Sequence, residues 1–214
     1  MSPRPRKVSD DEVFQATHRA MSRLGPGELT LAAIAAEAGV TAGALVQRFG
    51  SKRDLLLALS DRFSGGTGEM FAALRAAHRS PLAALRAYGD CLAGLATSPE
   101  ALARNLSYLQ IDLTDPDLRK SLVAQARASR LELRSLIKAA MAAGELVREV
   151  KPARLARTVE AILSGSMMSW AYHEEGTATE WMRDDLDAVL RPYLKKKNIN
   201  SSRRPRLGTR PPKA

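Results

Sequence analysis

Apolar residues recur at spacings of three and four along most of the chain, which is the pattern of amphipathic α-helices. The first helix is predicted to begin after Ser9, which can form a capping box with Glu12, and to run to about Leu24. Later helices are marked by a Ser or Asp before a proline, or by a terminal glycine. The pattern predicts a helix that opens at the capping box 51–54 and either reaches the glycines at 65 and 66 or continues towards 74. Further helices are predicted near 81–96, 99–113, 116–143, 152–174 and 178–194. We therefore expect an all-α protein.

Two short helices are predicted to meet at Gly39. Residues 31–38 place small and branched apolar side chains on one side, and Gly39 suits a turn with positive φ. Thr41 can cap a second helix over 42–48, in which Leu45 points back to a shared core. This arrangement predicts a helix-turn-helix, whose second helix enters the DNA major groove. An ordinary corner between two helices fits the same pattern, so the flanking residues have to decide.

Basic residues are concentrated at the two ends of the chain. Residues 195–214 contain eight of them and residues 1–7 contain three, without one acidic residue, so 8–194 carry a net charge of −1 against +10 for the whole chain. Both ends are poor in apolar residues, and we expect a disordered arm over 1–8 and a disordered tail over 195–214. Basic ends attract phosphate, but on charge alone solvated tails are an equally good interpretation.

No combination of residues predicts enzymatic chemistry, so we expect no catalytic residues, no cofactor and no metal. His18, His78 and His173 are too scattered for a metal site. The glycine-rich stretch 65–68 lacks the Lys-Ser/Thr ending of a phosphate-binding loop. With one cysteine, Cys91, and neither a membrane-length apolar run nor a signal peptide, we expect a soluble cytoplasmic protein without a membrane partner.

The stretch from 9 to 60 resembles the tetracycline-repressor (TetR) family of bacterial transcription regulators. The features that carry the resemblance are the capped first helix, the sequence IAAEAGV over 34–40, the short Gly-containing helix, Phe49, and Ser-Lys-Arg-Asp-Leu-Leu over 51–56. The rest of the chain is similar to the family only in its layout of helices. The resemblance implies an N-terminal three-helix helix-turn-helix DNA-binding domain over 9–60. A C-terminal helical ligand-binding and dimerisation domain would follow over 61–194.

The resemblance places DNA contacts at eight positions. These are Thr30, Thr41, Ala42, Gly43, Ala44, Gln47, Arg48 and Lys52. Hydroxyls and free N–H groups at the helix N-termini, together with Lys52, would bind phosphate. Gln47 and Arg48 would read adenine and guanine edges. The family usually has a basic residue in place of Ala42 and an aromatic in place of Val46, so we expect the basic arm to offset weak phosphate anchoring there.

A stripe of apolar and small residues on the last two long helices predicts a dimer interface. Its members are Leu155, Val159, Ile162, Ser166, Trp170, Trp181, Leu186, Val189, Leu190 and Tyr193. The core of a single subunit would show the same periodicity. The resemblance favours the dimer, because TetR-like proteins dimerise through a four-helix bundle of these helices. It also implies a palindromic operator in double-stranded DNA.

Three interpretations of function remain open. The leading one is a homodimeric repressor released by an unidentified small-molecule effector, for which we expect an apolar or amphipathic compound and can assign no pocket residues. The second is an all-α small-molecule-binding or enzymatic bundle that does not act on DNA. The third is a constitutive DNA-binding architectural protein. The motif at 30–54 opposes the second, and the large helical body opposes the third.

Overall fold

A computed structural model describes residues 8–195, and within that range the protein is built from helices joined by short turns, which confirms the predicted all-α fold. In chain order the helices are α1 Asp10–Arg23, α2 Leu31–Ala38, α3 Ala42–Phe49, α4 Lys52–Ala77, α5 Pro81–Ala93, α6 Pro99–Thr114, α7 Pro116–Ala142, α8 Pro152–His173 and α9 Ala178–Leu190. A 3-10 turn, Arg191–Tyr193, follows α9.

Side-chain caps fix where most of these helices begin. Eight of the nine described helices have a Ser, Thr or Asp whose side-chain oxygen accepts a hydrogen bond from a backbone N–H of the first turn. The capping box predicted at Ser9 and Glu12 is present, as is a second one at Thr177 and Glu180. Gly39 has the positive φ, 68°, that ends α2.

The end of α9 differs from the prediction, because the helix stops at Leu190 instead of 194. Pro192 has no N–H and its ring would clash with the preceding turn, so the helix tightens into the 3-10 turn and stops. The chain then pairs with the segment before α8: Leu194 forms a bridge with Leu146, and the Lys195 N–H donates to the Glu145 carbonyl at 3.0 Å. Lys195, where we expected the disordered tail to begin, is therefore held against the body.

Most of the predicted arm and tail lies outside the described residues. Val8, which we assigned to the arm, is half-buried and packs on the N-terminal helices.

Helix α4 contributes to two separate apolar clusters. The N-terminal cluster is formed by α1–α3 with Leu55 of α4 and Tyr108 of α6, while Phe71 of α4 belongs to the cluster of the body, α5 and α7–α9. The predicted boundary at 60/61 therefore falls inside one continuous helix. Because α4 packs on α7 and Tyr108 is 6% exposed, the two parts of the chain share buried side chains.

Candidate nucleic-acid interface

Helices α2 and α3 form the predicted corner around a small core. Ile34, Ala35 and Leu45 are buried and pack in the N-terminal cluster with α1. The small side chain of Ala35 allows the chain after Gly39 to return closely, and the Val40 N–H donates to the Ala35 carbonyl at 3.0 Å. The corner is therefore held by local packing and leaves the opposite side of α3 free.

The free side of α3 carries three of the eight predicted DNA contacts. Gly43, Ala44 and Gln47 lie at i, i+1 and i+4, opposite buried Leu45, and all three are exposed. Val46, on the same side, is 49% exposed. Short side chains around Gln47 leave the helix backbone accessible to a groove.

The N-termini of α2 and α3 are both exposed and side-chain capped. Thr30 Oγ1 accepts from the Ala33 N–H and Thr41 Oγ1 from the Ala44 N–H, each at 3.1 Å. The first N–H groups of each helix have no partner within the helix and, with the helix dipole, favour an anion. Ala42, predicted as a DNA contact, is half-buried, so its backbone N–H is a better phosphate contact than its methyl side chain.

Lys52 has a structural partner that the sequence did not reveal. Its Nζ donates to the carbonyls of Pro26 and Leu29, at 3.1 and 2.8 Å, and the side chain is half-buried. Lys52 therefore fixes the turn that leads to Thr30. An ammonium has three N–H donors, so one remains for a phosphate.

Arg48 lies on the flank of α3 and points towards the start of α1. Its Nη1 donates to the Val8 carbonyl at 2.7 Å, its Nη2 pairs with Asp10, and the guanidinium lies 5.5 Å from the ring centroid of Phe49. Base reading by Arg48 stays a prediction, and it requires the guanidinium to leave both of these partners. In the conformation described, Arg48 holds Val8 and Asp10 at the start of α1.

An arginine clasp links the start of α4 to the start of α7. Arg53 donates to both carboxylate oxygens of Asp115, at 2.7 and 2.8 Å, and to Asp117 at 2.8 Å. The hydrogen bonds from Arg53 lower the pKa of Asp115 to about 2 and also lower the pKa of Asp117. Asp115 is also the N-cap of α7, so the clasp connects the residue after Lys52 to a helix of the body.

Helix α6 is tied to the C-terminal end of α1. The Tyr108 hydroxyl donates to the Leu24 carbonyl at 2.8 Å, and Arg104 Nε donates to the Ser22 carbonyl at 2.9 Å. Sequence reasoning missed Arg53, Arg104 and Tyr108, because each pairs with a group more than sixty residues away and no local pattern marks them.

Six of the ten residues predicted for the dimer interface lie in the core of a single chain. These six are Leu155, Val159, Ser166, Trp170, Leu186 and Leu190. For them the structure shows the alternative that periodicity left open, since a buried side chain has no surface to offer a partner. Ile162, Trp181, Val189 and Tyr193 retain exposed surface.

Within residues 8–195 no group of His, Cys, Asp and Glu side chains could hold a metal ion. None of the described helices combines the length and apolar character that a membrane span needs.

Two family models match the chain. Residues 13–59 match "Bacterial regulatory proteins, tetR family", and residues 108–186 match "Tetracyclin repressor-like, C-terminal domain". The first covers the helix-turn-helix and the start of α4, and the second covers most of α6–α9. No curated protein sequence matched.

Solved structures of TetR-type regulators share the fold over nearly their whole length. A TetR transcription regulator from Haloarcula marismortui is 20% identical with a TM-score of 0.70, covering 86% of this chain and 97% of that one. SmeT, the repressor of the Stenotrophomonas maltophilia multidrug efflux pump SmeDEF, is 21% identical with a TM-score of 0.62, covering 88% and 92%. Thermus thermophilus FadR, a repressor solved with lauroyl-CoA, is 22% identical with a TM-score of 0.55, covering 89% and 98%. Since both family models and these folds agree, the chain belongs to the TetR family of bacterial transcriptional regulators.

Proposed function

We propose that this regulator is a repressor, active in the cytoplasm, that binds a palindromic operator as a homodimer and is released by a small-molecule effector. The observation that carries the proposal is the exposed side of α3, where Gly43 and Ala44 leave the backbone accessible beside Gln47. A helix presented in this way fits the major groove. Thr30 and Thr41 at the two helix N-termini supply phosphate contacts on either side of it.

The outer side of α8 supports a dimer. Ala161, Gly165, Met168 and Tyr172 recur at spacings of three and four on the side opposite the buried stripe, and Tyr172 is 72% exposed. Two small residues in the middle of this row allow another helix to approach closely. We propose that this row, with the outward sides of Trp181 and α9, forms the two-fold interface.

The dimer is tested by Gly165→Arg. A Cβ at Gly165 meets nothing within 4 Å, so the substitution spares the subunit but introduces a charge into the proposed interface. We expect monomers with unchanged helical content in sedimentation. Gly68→Arg is the matched control, because Gly68 is also a helical glycine with open space around it. A Gly165→Arg protein that stays dimeric would contradict the interface.

DNA binding is tested by footprinting the purified chain on the DNA upstream of its own gene. We expect two protected half-sites related by a dyad, with centres about 34–36 Å apart. Absence of specific protection would favour the alternative of a ligand-binding or enzymatic bundle that does not act on DNA.

The contacts that join α1 and α4 to α6 and α7 support an effector response, because a ligand that moves the body also moves α3. The solved complex of Thermus thermophilus FadR with lauroyl-CoA supports an amphipathic ligand for this fold.

A further inference from the structure

A cavity of about 230 Å³ lies where the N-terminal helices meet the body. It is a half-open cavity lined by α1, α4, α6 and α7, with Leu95, two residues after α5, at its edge; we call it the junction cavity. Its apolar lining consists of Met21, Leu56, Leu59, Phe63, Leu95, Tyr108, Ile111 and Leu118, and its polar lining of His18, Ser60, Asp112 and Gln125.

Among the described residues, three of the four polar side chains in the junction cavity have no hydrogen-bonding or charged partner in the chain. Within residues 8–195, Ser60, Asp112 and Gln125 make no side-chain hydrogen bond or ion pair, and the lining contains no lysine or arginine. Asp112 is half-buried, and burial, with a smaller contribution from Asp115, raises the pKa of its carboxyl. An acid held among apolar side chains without a counter-charge is stabilised by a cation.

We infer that the junction cavity binds a small lipophilic cation, with its ammonium group on Asp112 and its hydrocarbon part against Leu56, Ile111 and Leu118. Ser60 and Gln125 supply additional acceptors for the ammonium protons. The assignment of this cation as the effector rests on the proposed function, whereas its binding does not.

The volume limits the size of the ligand. An apolar cavity of about 150 Å³ accepts benzene, so about 230 Å³ accommodates a phenyl ring with a short aminoalkyl chain. A wider groove of about 670 Å³ between α1 and α4 adjoins the junction cavity and shares His18, Leu59 and Phe63 with it. The rings of His18 and Phe63, 5.8 Å apart, form part of the shared wall. A larger cation would extend into the groove once the half-exposed Phe63 ring turns aside.

The location of the junction cavity couples binding to α3. The hydrogen bond from Tyr108 to Leu24 and the clasp between Arg53 and Asp115 cross the same boundary. A ligand wedged between α6 and α4 strains these contacts, so it binds best to the conformation in which they are loosened. Only such a difference in affinity between the two conformations can release DNA.

The test is calorimetric titration of the full chain, without DNA, with three probes of one shape: phenethylammonium, 2-phenylethanol and phenylacetate. We expect the cation to bind about tenfold or more tightly than the alcohol, and the anion not to bind, because a hydrogen bond to a charged group exceeds a neutral one by that order. Asp112→Asn should remove the cation's advantage and leave the alcohol unchanged. Glu100→Gln, at the exposed other end of α6, is the matched control and should change nothing.

Ser60→Leu provides a second variant, since it fills the junction cavity and should weaken the cation and the alcohol together. Equal affinities for cation and alcohol, an unchanged cation affinity in Asp112→Asn, or no binding of any probe would overturn the assignment without touching the proposal of DNA binding. Release of operator DNA by phenethylammonium in the wild type, but not in Asp112→Asn, supports the effector role. Retention of DNA at saturating cation would overturn that role.

Discussion

Replacement of Gly43 by alanine is expected to raise the stability of the free protein and to lower its affinity for DNA. Gly43 is the second residue of α3, and a Cβ built there finds Thr41 Oγ1 at 4.0 Å as its nearest neighbour, which is ordinary contact. Alanine in a helix is more favourable than glycine by about 0.5–1 kcal/mol, so Gly43→Ala should stabilise the free protein. For a chain of this size that corresponds to a rise in melting temperature of about 1–4 °C.

The same methyl group faces the proposed groove. If the backbone of α3 packs against base edges at Gly43, an added methyl is an overpacking change that costs about 1–3 kcal/mol. Operator affinity should fall about 5- to 150-fold, while the protein melts at a higher temperature.

The assay combines fluorescence anisotropy on operator DNA with thermal melting of the free protein. The matched control is Gly65→Ala in α4, where a Cβ meets nothing within 4 Å and the surface is remote from α3. It should gain a similar stability and keep its affinity for DNA. Equal operator affinities for Gly43→Ala and Gly65→Ala would refute a close approach of the α3 backbone to the groove.

Three further changes test other parts of the structure. Arg48→Ala should cost about 1–3 kcal/mol of operator binding and relax the preference at one base pair; an unchanged preference in a selection experiment would remove Arg48 from base reading. Gly39→Ala forces a Cβ into the left-handed region and should cost about 1–2 kcal/mol of unfolding free energy by denaturant titration, with a wild-type result contradicting the turn. Because the folded-state pKa of Asp115 is about 2, below the ordinary 3.9 or so, the Arg53 clasp stabilises fully above about pH 4 and is lost as pH falls towards 2. The melting difference between wild type and Arg53→Gln should shrink over that range, and a constant difference would argue against the clasp.

Local chemistry made the helix boundaries predictable. Ser9, Thr30 and Thr41 cap the helices that they were expected to cap, because a side-chain oxygen reaches a backbone N–H two or three residues away wherever the chain folds. Gly39 was predictable for the same reason, since its positive φ is a property of one residue. The exposed side of α3 followed from those bounds.

The features that sequence could not give depend on distant parts of the chain. Periodicity identified the apolar side of α8, but not that α7 and α9 cover it. Val159, predicted for the dimer interface, is buried in the core of its own chain. Glycines at 65, 66 and 68 suggested a possible stop in α4, yet packing on α7 carries the helix through and buries Thr67. The clasp between Arg53 and Asp115 joins residues that are 62 positions apart.

Helix α4 is one continuous helix whose central glycines make it most flexible in the middle. Its 26 residues span about 39 Å, from Lys52 beside the turn before α2 to Ala77 in the body. A tilt of about 5° at one end displaces the other by roughly 3 Å, which is close to the rise of one base pair along DNA. The three glycines at its centre each weaken the helix by about 0.5–1 kcal/mol relative to alanine, so the rod bends most easily between the DNA-facing end and the body. Under the proposed function, the stiffness of this short glycine segment sets how much of a movement in the body is transmitted to α3.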